Sequence, residues 1–128
     1  MHVVPIAFHR EDGVVHTIAV GVVTESELLE HAERLAGEFG REPFRAELAD
    51  LSQVRQLLLD AEALARVAEV WREAEVPAVR AQVAFVAPSR EAFGLASTYE
   101  ILRGSGWVDV RVFRDHYAAR QWLDLPEK

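Results

Sequence analysis

His9 and His16 lie on either side of Asp12-Gly13 and are the first residues in the chain with chemistry to offer. A two-residue loop at Asp12-Gly13 sets the two histidines directly opposite each other across a hairpin, with Cβ atoms about 5 Å apart. Facing imidazoles, with Glu11 one step along the same face, could start a zinc or copper site. A zinc site takes three or four protein ligands, however, and the sequence assures no third. Two surface histidines near a hairpin end are the plainer account, and no metal or other cofactor is expected.

The remaining candidates for catalysis are scattered. His31 is expected on the polar side of a helix and His116 at the start of the last one, and neither falls in an H-E-x-x-H arrangement. Ser52, Ser89, Ser97 and Ser105 have no identifiable base, and no Gly-x-Ser-x-Gly elbow occurs. Gly104-Ser105-Gly106 follows a helix rather than opening one, so it reads as a helix stop and not a phosphate loop. The chain has no cysteine, which removes thiolate nucleophiles, disulfides and Cys-ligated metals. Lys128 is its only lysine, leaving no Schiff-base or phosphate-loop lysine inside the fold. A non-catalytic protein is the expectation.

The elements that must position these residues are legible from periodicity. Val3 to Arg10 and Val14 to Val20 are β-branched and apolar, and Asp-Gly between such runs predicts a type I′ hairpin. Pro5 cannot donate to a ladder, which places the first strand at a sheet edge. Thr24 and Glu27 form a capping box, followed by Leu28, Ala32, Leu35, Ala36 and Phe39 at helical spacing and by Gly40 as a stop. Strand Arg45 to Leu51 precedes a helix that starts near Asp60 and buries Leu64, Val67, Ala68, Trp71 and Ala74, with Pro77 ending it. Ala81 to Ala87 is almost wholly apolar, as a central strand would be. Ser89 caps a third helix whose stripe is Ala92, Ala96, Tyr99 and Leu102. Val108, Val110 and Val112 alternate with polar residues as a last strand, and Asp115 caps a last helix burying Ala118, Trp122 and Leu123. This order predicts an α/β single domain over residues 1–128. Its sheet is mixed but mostly parallel, with an N-terminal β-hairpin and four helices.

Composition narrows the partners. Of the 128 residues 50% are hydrophobic, enough for a real core. The net charge of −7, with no basic cluster, argues against nucleic acid and against simple docking on anionic lipid. No apolar run approaches the roughly 20 residues needed to span a bilayer, and the N-terminus lacks signal-peptide character, so a cytoplasmic protein is expected.

Several motifs carry a resemblance. Phe93-Gly94 with Ala96 and Tyr99, then Val112-Phe113-Arg114-Asp115, then Ala118 and Trp122-Leu123, resemble the C-terminal third of SpoIIAA-like proteins of the STAS superfamily. Ala46 to Ser52 is similar to the STAS strand that ends in Asp-Leu-Ser. The resemblance covers roughly residues 45–125 and implies the fold derived above. In phospho-regulated members a serine in Asp-Ser-Ser-Gly-Leu receives the phosphate; the corresponding place here is Asp60-Ala61-Glu62-Ala63-Leu64, without either serine. The switch therefore has no acceptor. Glu62 could stand in for a phosphoserine's charge, although a carboxylate in a first helical turn is already explained by the helix dipole.

In an α/β sheet ligands collect beyond the carboxyl ends of the strands. That rim would hold Ser52, Leu57, Leu58, Leu59, Asp60, Glu62, Ser89 and Arg90, with Arg114-Asp115 nearby. Val54 to Leu59 is unusually apolar for the loop it is expected to be, and Leu57 to Leu59 either cover the core or form an exposed patch for a partner or a greasy ligand. The resemblance implies two readings. One is a protein-interaction or regulatory module contacting a protein partner through this rim. The other, through the grouping of some such proteins with the CRAL-TRIO fold, is a small carrier of an apolar, lipid-like molecule. An enzyme is the least favoured class, and exposed edges leave a homodimer open.

Overall fold

The structure, a computed structural model, describes residues 5–76, 79–104 and 106–126. Its elements are β1 (Ile6–Glu11), β2 (Val14–Thr24), α1 (Glu25–Arg41), β3 (Ala46–Leu58), α2 (Ala61–Ala74), β4 (Ala81–Val86), α3 (Arg90–Arg103), β5 (Val108–Phe113) and α4 (His116–Trp122). The strands form one sheet in the order β1-β2-β3-β4-β5, antiparallel at β1–β2 and parallel elsewhere. The predicted mixed sheet and four helices are therefore present.

Local chemistry sets the boundaries. Asp12 (φ 51°) and Gly13 (φ 75°) supply the two positive φ angles of a type I′ turn, and His9 pairs with His16. β1 lies at the sheet edge, as Pro5 requires, while Val3 and Val4 of the predicted strand fall outside the described residues. Thr24 closes β2 and caps α1 through a capping box with Glu27. Asp60, Ser89 and Asp115 each accept a backbone N–H from the first turn of the helix that follows, at 2.9, 3.1 and 2.9 Å.

Because strand order follows chain order, crossovers of one hand lay α1, α2 and α3 on the same face of the sheet. That face carries the main core, where Phe39, Phe44 and Trp71 meet edge to face with ring centroids 5.0 to 6.4 Å apart. α4 alone covers the other face, setting Ala119 and Leu123 on Val14, Ala46, Leu48, Ala84 and Val86.

Some predicted boundaries shift. α1 runs through Gly40 to Arg41. In α4 the fully buried alanine is Ala119 rather than Ala118. Pro77 lies outside the described residues, and α2 ends at Ala74 with Glu75 as its cap. The largest correction concerns Val54 to Leu59, expected as a loop: β3 continues through Leu58 and stays paired with β2 as far as Thr24↔Leu58. Pairing with β4 stops at Asp50↔Val86, so the extension is a two-stranded ribbon. Register shifts after Ile18 and Gly21 mark its irregular stretch, and Gly21 meets it with a positive φ of 77°.

Candidate functional site

Between the sheet and helices α1 to α3 lies a partly enclosed apolar cavity of about 100 Å³. That volume admits several waters or a slim aliphatic segment; benzene has been housed in a cavity of roughly 150 Å³. Strand alternation selects the wall: Thr17 and Ala19 face it from β2, and Glu47, Ala49 and Leu51 from β3. Crossover helices run against the strands, so the lining sorts along one axis. At the carboxyl ends of the strands the half-buried Leu28, Leu51, Leu57, Leu59 and Leu95 form the mouth. At the amino ends Thr17, Glu47, Trp71, Tyr99 and Arg103 form the base.

The base is polar and buried. Glu47 is 6% exposed and accepts from Thr17 Oγ1 at 2.7 Å. Burial pushes its carboxyl up to about 7, against the hydrogen bond from Thr17 and the nearby Arg103 charge. Arg103, with a side chain only 3% exposed, donates from Nη1 to the Tyr99 hydroxyl at 3.0 Å. Its guanidinium lies over the rings of Trp71 and Tyr99, 5.6 and 5.7 Å from their centroids. The nearest carboxylate, Glu75, is 4.0 Å from Nη2, too long for a hydrogen bond, and is already accepting from the Val108 N–H. Arg103 Nη2 is thus a buried donor without a hydrogen-bond partner among the described residues. Burial also raises the Tyr99 hydroxyl above its ordinary range and keeps it protonated.

His31 corrects an expectation. It lines the cavity instead of the polar face of α1, and its ring meets Phe8 edge-on at 5.6 Å. Its Nδ1 is buried without a hydrogen-bond partner among the described residues. Burial, followed by the Arg34 charge, lowers its pKa to about 4, so the imidazole is neutral at ordinary pH. The spacing from Leu28 and to Leu35 carried this signal, since both neighbours lie on the buried stripe. Arg103 had the same kind of signal. It continues the line Ala92, Ala96, Tyr99 by one turn, and the structure buries it while Leu102 is only half-buried.

The residues named for the rim divide. Leu57 and Leu59 line the cavity mouth, whereas Leu58 points outward and is 50% exposed. Asp60 and Ser89 cap α2 and α3, and Glu62 and Arg90 stand exposed in the first turns of those helices. Ser52 is exposed on β3, where its N–H donates to Asp50. The Leu57 N–H donates to Glu91 at 3.1 Å, joining β3 to the start of α3 across the mouth.

On the opposite face an open depression of about 610 Å³ collects His9, His16, Glu11, Arg45, Asp50 and His116. His9 and His16 stack with ring centroids 5.1 Å apart, and His116 Nε2 lies 3.2 Å from Asp50. Among the described residues no group of three or more His, Cys, Asp or Glu side chains could hold a metal ion. Nor is any described helix long and apolar enough to cross a membrane.

No family model matches the chain, and no curated protein matches it significantly. Solved structures do. An uncharacterised DUF3478-family protein with a SpoIIAA-like fold from Shewanella loihica PV-4 aligns at 15% identity and a TM-score of 0.57, over 92% of this chain and 91% of its own. The anti-sigma factor antagonist SpoIIAA in its unphosphorylated form aligns at 11% identity and a TM-score of 0.65, over 95% of this chain and 99% of its own. With both alignments spanning nearly the whole of each chain, this chain has a SpoIIAA-like fold.

Proposed function

We propose that this protein binds an apolar small molecule in the cavity between its sheet and helices, as a carrier or ligand-sensing module and not an enzyme. The cavity itself supports the reading: an apolar shaft with a leucine mouth and a few polar groups gathered at its base. Most small-molecule sites have that make-up, with apolar walls and a small number of placed polar groups. The test is binding of 1-octanol followed through the methyl resonances of Leu51, Leu57 and Leu95. Ala96→Phe, which fills the shaft, should abolish the shifts while leaving the far-ultraviolet circular dichroism spectrum intact. Shifts that survive the filled shaft would overturn the site.

A second reading rests on Leu58. A half-exposed leucine beside the exposed Asp60 and Glu62 gives the outer rim a surface suited to a protein partner. One structural neighbour is an anti-sigma factor antagonist, a protein that acts on other proteins. Any regulation at this rim works without phosphorylation of residues 60–64, which contain no hydroxyl. Leu58→Asp should then abolish partner binding and leave 1-octanol binding unchanged; loss of the alcohol alone would sink the rim surface.

A further inference from the structure

We propose that the molecule taken up is an unbranched carboxylic acid, bound head-first with its carboxylate on Arg103 Nη2 and the Tyr99 hydroxyl. This deepens the small-molecule reading and rests on it. A buried guanidinium is unfavourable unless an anion and hydrogen bonds compensate it. Here the compensation is incomplete: Nη2 lacks a hydrogen-bond partner among the described residues, and Glu75 stands 4.0 Å away with its Oε1 engaged by the Val108 N–H. The Tyr99 hydroxyl accepts from Arg103 Nη1 and so keeps its own proton to donate. Two donors therefore converge at the buried, polar end of the apolar cavity, and a carboxylate has the two oxygens to meet them.

The surrounding charges favour an acid over a base. Glu47 on β3 accepts from Thr17 on β2 through one oxygen. In its protonated form the other oxygen becomes a third donor for the head group. His31 on α1 is neutral, and Arg72 on α2 adds positive charge near Tyr99. Two carboxylates oppose a bound anion: Glu75, at the end of α2, stands 4.0 Å from Arg103 Nη2 and is 20% exposed, and Glu47 opposes it only when ionised.

Length and polarity agree with a single chain. Glu47, Ala49 and Leu51 share one face of β3, so base and mouth are about 13 Å apart at roughly 3.3 Å per residue. The cavity of about 100 Å³ holds the head and the first carbons, and the tail passes out between Leu51, Leu57 and Leu95. A double-tailed lipid exceeds a cavity of this volume.

The experiment compares octanoate with 1-octanol by calorimetry on the full chain at pH 6.5. Octanoate should bind roughly tenfold to hundredfold more tightly, as a charge-assisted hydrogen bond implies. Arg103→Met should erase that preference while keeping 1-octanol affinity within about threefold. Arg103→Lys should restore part of it. If Arg103→Met fails to fold, Tyr99→Phe removes one donor and should weaken octanoate severalfold without touching the alcohol. Equal binding of acid and alcohol would overturn the head-group assignment and leave the apolar site standing. Binding of neither would overturn both.

Discussion

Thr17 Oγ1 donates to Glu47 Oε2 at 2.7 Å across the β2–β3 pair, inside the core and 30 positions apart in the chain. Burial favours the protonated form of this carboxyl in spite of the Thr17 hydrogen bond, and His31, kept neutral by its own burial, shows the converse effect. Their contributions to stability against pH have opposite signs. Between about 4.5 and 7 the folded chain keeps the Glu47 proton that the unfolded chain has released, so this contribution is lost as pH rises. Between about 4 and 6.5 the unfolded chain holds a His31 proton that the folded one rejects, so this contribution is lost as pH falls.

The two slopes offset each other from about 4.5 to 6.5, and the wild-type unfolding free energy should be nearly level there as far as these groups decide it. Glu47→Gln should unmask the His31 slope, with stability rising from pH 4 to 6.5. His31→Phe should unmask the Glu47 slope, with stability falling from pH 4.5 to 7. Each unmasked change is on the order of 3 kcal/mol at about 1.4 kcal/mol per pH unit. Urea unfolding across this range checks it; parallel curves for all three proteins would refute the pairing.

Arg103 carries an opposite expectation for stability and for binding. Replacing an under-compensated buried charge by an apolar side chain of similar length is neutral or stabilising. Arg103→Met should therefore raise the unliganded unfolding free energy by about 1 kcal/mol. Thermal melts of ligand-free protein decide this, and a loss of more than 2 kcal/mol would mean that Arg103 is chiefly structural.

Asp60 is a cap and not a wall of the cavity. Removing its hydrogen bond to the Ala63 N–H with Asp60→Ala should cost about 1 kcal/mol. Affinity for 1-octanol should stay the same. A large change in affinity with no change in stability would assign Asp60 to the site instead.

The fold was legible because its devices are local. Asp12-Gly13, the Thr24 and Glu27 box, and the caps Asp60, Ser89 and Asp115 act within a few residues of themselves. The base of the cavity was not, because Thr17, Glu47 and Arg103 come from three elements and meet only after the sheet has assembled. Even so, Arg103 and His31 sit on helical apolar stripes, where a polar residue marks an unusual environment. Residues 52–58 misled for a different reason. Paired only with β2, that ribbon keeps Ser52, Gln53, Arg55 and Gln56 wet and shows no clean apolar alternation.

The Leu57 N–H and the Glu91 carboxylate meet at 3.1 Å on the surface, at the mouth of the shaft. A solvent-exposed bond of this kind adds little to equilibrium stability. Its weight falls on timing. On the proposed small-molecule reading, β3 and α3 stay together while the bond holds, and the expected consequence is that a guest exchanges only when this clasp opens. Glu91→Ala should quicken arrival and departure by a similar factor and leave the dissociation constant where it was. On that reading the clasp sets how long a guest stays without altering which guest is preferred.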